Sequence, residues 1–166
     1  RSPLGVLRHR EAHCLEGAIF AAACLRLNGR KPLILDLSAH RHDLDHVIAV
    51  FKVNNHWGAI RKTNHAVLRY REPVYRSIRE LVMSYFHEYF LDNGKKTLRS
   101  YSQPVDLSKF DKKSWITAKD DVWYIERYLR KIPHKPILAK PKIRNLRKAH
   151  PIEIRAGKLT EWRRTA

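Results

Sequence analysis

Acidic residues are scarce in this chain: 16 aspartates and glutamates stand against 34 lysines and arginines, a formal net charge of +18. A folded core does not require such an excess, so it makes nucleic acid or an acidic protein the natural partner of the surface. Cysteine is almost missing, with two in 166 residues; that excludes a disulfide-built scaffold and fits a reducing cytoplasm. One methionine, six glycines and no internal repeat argue against a low-complexity chain. There is no run of 18 apolar residues, which excludes a membrane-spanning helix, and the opening RSPLGVLRHR has no apolar core for a signal peptide. What is present is a chain with 43% hydrophobic residues, of a size that buries one core and seldom two.

One of the two cysteines, Cys14, heads the segment HCLEGAIFAAACLRLNG. Leu15, Ala18, Ile19, Ala22 and Leu25 recur at one-face helical spacing, while Phe20, Ala21 and Ala23 leave little polar surface opposite, so the helix is buried nearly all round. Asn28-Gly29 is a suitable stop. No Ser, Thr, Asp or Asn directly precedes Cys14 to cap the helix there. Leu33 to Leu37 is short and apolar enough for a buried strand, and the run from His46 turns back on itself around Asn54-Asn55 as a hairpin.

A thiol on a helix and a histidine on a hairpin form the layout of a thiol enzyme. A free thiol is mostly protonated at neutral pH, and a neighbouring imidazole can take its proton and later deliver it to a leaving group. The first turn of a helix favours the thiolate further, and the Cys14 amide is a candidate oxyanion donor. Cys24, mid-helix, reads as core packing; at 1.5 Å rise it lies about 15 Å from Cys14, too far to pair within one helix. His40, His42, His46, Asp43 and Asp45 cluster in sequence, but their spacing matches no metal motif. Asp43 or Asp45 could instead assist His46, within a solvated loop. No metal and no cofactor is expected.

These residues resemble the transglutaminase-like superfamily of papain-like thiol enzymes, over roughly Arg8 to Asn64. The resemblance rests on Cys14 with its alanine-rich helix, the Leu27-Asn28-Gly29-Arg30 exit, His46 on a strand and Trp57 eleven residues later. It implies an α+β papain/transglutaminase-like thiol domain, with a central buried helix on an antiparallel sheet and additional helices. It also implies a Cys14–His46 pair acting on an amide or thioester, by hydrolysis or acyl transfer, with a protein or peptide as substrate. Family members place an aspartate about four residues after such a tryptophan to orient the histidine; Arg61 stands there in this chain. Asn64 is the nearest downstream acceptor and is the candidate third catalytic residue.

Further along, EPVYRSIRELVMSYFHEYFLDNG reads as one long helix from near Pro73 to Asn93-Gly94, with Tyr75, Ile78, Val82, Tyr85 and Tyr89 on its core face. Arg71, Arg76 and Arg79 near its start are candidates for an anionic partner. Thr117 reads as the cap of a helix carrying Val122, Ile125, Tyr128 and Leu129 to Pro133. The thiol domain is expected over residues 1–135 and a basic C-terminal extension over 136–166. Trp162, Tyr101 and Trp115 are candidate stacking residues if the partner is nucleic acid. Two functions follow: thiol-dependent acyl chemistry, or a catalytically inactive basic binding module on the same fold that holds nucleic acid or an acidic protein.

Overall fold

The structure is a computed structural model and describes residues 1–162. It opens with two helices, α1 (Pro3–His9) and α2 (Cys14–Leu27). The missing cap before Cys14 is supplied from inside the helix: Glu16, in the first turn, accepts the His13 amide at 3.0 Å. α2 ends at Asn28, followed by Gly29 at φ 72°.

Strands β1 (Leu33–Ala39), β2 (His46–Val53) and β3 (His56–Ile60) follow. Asn54 and Asn55 join β2 to β3 at φ 46° and 64°, the doubly left-handed geometry that a two-residue hairpin turn requires and asparagine tolerates. The residues after the hairpin depart from the expected long helix. Arg71–Tyr75 is a strand, β4, paired with β3, and only Ile78–Phe86 forms helix α3. Ser77 accounts for the break, because its side chain accepts the Glu80 amide at 3.1 Å and starts the helix there. β4 is the sheet's edge, the place where Pro73 lacks no ladder bond that matters.

After α3 come β5 (Leu98–Ser102), β6 (Val105–Asp106), a 3-10 helix at Leu107–Lys113, α4 (Trp123–Lys131), β7 (His134–Pro136), α5 (Lys140–Arg144) and α6 (Pro151–Lys158). Thr117 does not cap α4. That helix starts six residues later, with Val122 at the cap position and no side-chain cap bond. All sheet pairings are antiparallel, in the order β4-β3-β2-β1-β5-β7, with β6 on the other end of β1.

Period-two alternation sorts the two central strands between two cores. Ile34, Val47 and Ala49 face α2, Trp115 and α4, whereas Leu35, Leu37, Ile48 and Val50 face α3 and Tyr89. The α+β architecture with an antiparallel sheet and several helices is therefore as expected, with helices covering both faces. The boundary expected at 135/136 falls inside β7, and the segment beyond packs on the domain. Ile137 is buried in the α3-side core, and the Leu159 carbonyl accepts the Ala66 amide at 2.8 Å. Residues 163–166 of the expected extension lie outside the described ones. Among the described residues no helix is long and apolar enough to cross a membrane.

Candidate active site

Cys14 is the first residue of α2, where its amide has no carbonyl one turn earlier to bond. His46 is the first residue of β2, opposite Leu37 of β1. Arg61 follows β3 immediately. These three elements bring Cys14, His46, Arg61, Asn64 and His65 onto the walls of one cavity of about 490 Å³, inside the usual range for small-ligand sites. Gly17 makes the approach of the third element tight. A Cβ at Gly17 would lie 2.4 Å from Cβ of Lys62, so only glycine lets the segment after β3 cross the start of α2 this closely.

His46 is largely buried, with the Tyr89 ring edge-on at 5.3 Å. Burial first, then the positive fields of Arg61 and His65, hold its imidazole far below the ordinary value, at about 3. At neutral pH the ring is thus uncharged. Its Nδ1 is buried with no hydrogen-bond partner, and among the described residues no hydrogen bond joins the ring to Cys14. Tyr89, whose hydroxyl donates to the Leu44 carbonyl at 2.6 Å, is held protonated by burial.

Asn64 shares the cavity but not the histidine. Its Oδ1 accepts from Lys62 Nζ at 2.8 Å and its carbonyl accepts the Glu161 amide at 2.9 Å. The loop carboxylates are equally occupied. Asp45 Oδ1 accepts the Ala39 amide at 2.7 Å, and Asp43 accepts from the Leu44 amide and from the Thr97 hydroxyl. They organise the turn that leads into β2. Among the described residues no three His, Cys, Asp or Glu side chains gather into a metal-binding group.

Arg61 is only 9% exposed. Burial lowers the affinity of its guanidinium for the proton, while Tyr89, Tyr85 and Cys14 act in the opposite sense. Nη1 donates to the Leu68 carbonyl at 3.2 Å and Nε is buried without a partner. Sequence reasoning saw Arg61 as the occupant of an aspartate's place, and it missed that the side chain turns inward. It also missed Glu88 and Tyr89 on the same walls, where Trp162, a candidate stacking residue, stands as well.

The other candidates are dispersed. Trp115 is 1% and Tyr101 6% exposed, so neither can stack on a base. Cys24 is partly exposed rather than core. Arg71 is tied to Glu88 and Ser84, and Arg79 donates to the Ile137 carbonyl at 3.2 Å. A wider groove of about 610 Å³ runs between Gln103 and Lys135, but it holds no cysteine or histidine and lies outside this constellation. Compared with known proteins, the chain matches no family model and no curated protein sequence. The chemistry must therefore be argued from the cavity itself.

Proposed function

We propose that the protein is a thiol enzyme of acyl chemistry, in which Cys14 attacks the carbonyl of an amide or thioester. The single observation that supports this most is that a thiol at a helix N-terminus and a neutral, partnerless imidazole line the same cavity. His46 is uncharged at neutral pH with a ring nitrogen free to receive a proton, and a substrate anion that offsets the Arg61 charge would raise its low basicity. His46 takes the Cys14 proton as the S–C bond forms, and the carbonyl electron pair moves to the oxygen, towards the free Cys14 amide. When that pair returns, the leaving group departs with the proton from His46. Water then attacks the thioester, gives a proton to His46 and releases the acid, and the proton returns to Cys14. An amine in place of the water would make the same cycle a transfer. The order of helix, strand and histidine strand resembles that of the transglutaminase-like family, which supports this reading.

A second reading, an inactive basic binding module on the same fold, is favoured by one specific feature. Among the described residues no acceptor orients the His46 ring, since Asn64 is engaged with Lys62 and a cation stands where the family has a carboxylate. Intact-mass spectrometry with phenyl thioesters separates the two. The enzyme gains one acyl group on Cys14 that decays with turnover and is absent from Cys14→Ala. The binding module gains none, and binds RNA or acidic protein with an affinity that falls steeply with salt.

A further inference from the structure

Arg61 is nine-tenths buried, yet every carboxylate on the walls of its cavity is taken by another group. Asp43 receives Thr97 and Leu44, Glu88 receives Arg71 Nη2 at 2.8 Å, and Asp92 faces Lys158 at 3.3 Å. Among the described residues the bond to the Leu68 carbonyl is the guanidinium's single hydrogen bond. A charge withdrawn from water without a counter-ion costs several kcal/mol, so such a group marks a place for an anion. The kind of anion follows from the rest of the wall. Lys158 faces Asp92, and the exposed Lys62 bonds only the neutral Asn64 amide and keeps its charge in solvent, which leaves Arg61 as the buried positive charge without an ion-pair partner amid three carboxylates. A single planar carboxylate matches both that charge and the guanidinium fork. A phosphate, nearer two charges at neutral pH, would meet the repulsion of those carboxylates.

We propose that this cavity recognises its substrate through a free carboxylate received by Arg61, so that the acyl donor carries a second, unreacted acid group near the carbonyl that Cys14 attacks. The inference rests on the reading of Cys14 as the nucleophile, and it narrows the substrates to short diacid monothioesters and acidic peptide ends. The apolar face of Trp162, 71% exposed on the same wall, is available to the chain between the two groups. In this arrangement the overall charge of +18 draws acidic molecules in, and Arg61 selects among them.

Two alkylating agents of matched size test this within one protein: iodoacetate, which carries a carboxylate, and iodoacetamide, which does not. The ratio of their second-order rates at Cys14 is expected to exceed the ratio at Cys24 by about tenfold, and Arg61→Gln is expected to bring the two ratios together. Equal ratios at both cysteines in the wild-type chain would overturn the carboxylate site even if Cys14 reacts fast with iodoacetamide, which would leave the thiol reading standing. A high iodoacetate ratio with no acyl-enzyme from any thioester would do the reverse. If Arg61→Gln fails to fold, succinate and its neutral isostere succinamide replace the variant. Succinate alone should slow the labelling of wild-type Cys14, and equal protection by both, or by neither, removes the proposal.

Discussion

Two histidines on one sheet meet opposite fates. His134 of β7 is fully engaged, with Nε2 at 2.9 Å from Asp36 Oδ2 and Nδ1 at 2.9 Å from the Ile132 carbonyl. His46 of β2 bonds nothing through Nδ1 and sits in a cavity beside a buried cation. The arginines repeat the contrast. Arg71 is held by Glu88 and Ser84 and lies 4.3 Å over the Tyr85 ring, whereas Arg61 has one carbonyl. Buried polar groups are nearly always satisfied, so the satisfied pair is architecture, and under our proposal a ligand completes the unsatisfied pair. His134 and Asp36 tie the last strand to the central one.

The contrast breaks most sharply in catalysis. His46→Gln should cut kcat/KM for a thioester by about 10²- to 10⁴-fold while leaving the denaturant midpoint unchanged or higher, because it removes a dry imidazole. A kinetic series beside urea unfolding checks both halves. The pH dependence of stability comes next. The unfolded chain binds a proton at His46 near pH 6.5 and the folded chain only near 3. The stability is therefore fully present above pH 6.5 and is lost as pH falls towards 3, by about 1.4 kcal/mol per pH unit from this group. The wild-type curve minus the His46→Gln curve should show that slope, and parallel curves would mean that the ring is not buried uncharged.

His134→Ala should act in the opposite sense to His46→Gln. It leaves the Asp36 carboxyl, already raised by burial, without its partner in the middle of the sheet. We expect a loss of about 3 kcal/mol in unfolding free energy, with acylation by the folded fraction retained. The smallest effect expected is at Gly17→Ala. The added methyl must displace Lys62, the residue next to Arg61, so iodoacetate should lose part of its advantage at Cys14 while stability falls by about 1–2 kcal/mol.

Legibility in the sequence followed the range of the interactions. The helix behind Cys14, strand β1 and the Asn54-Asn55 hairpin were readable because periodicity and turn chemistry are local. They were enough to place Cys14 and His46 on elements that meet at one cavity. The helix expected over 73–93 overran because its aromatic spacing continues across Ser77, where β4 gives way to α3. The Asp36–His134 bond spans 98 residues and had no local trace. Asn64 and Arg61 show the limit of reasoning from a family's spacing. Both line the cavity, but Lys62 holds the Asn64 amide and the segment carrying Arg61 crosses α2 closely at Gly17, and neither contact is written in the motif.

The claim that Cys14 is a working nucleophile is tested most directly by iodoacetamide labelling at pH 6, with peptide mass spectrometry following both cysteines of one folded chain. Both thiols are partly exposed, so access alone predicts no preference. The account predicts that Cys14 is carbamidomethylated well before Cys24. Equal, slow labelling of the two would contradict it and make Cys14 another packed thiol.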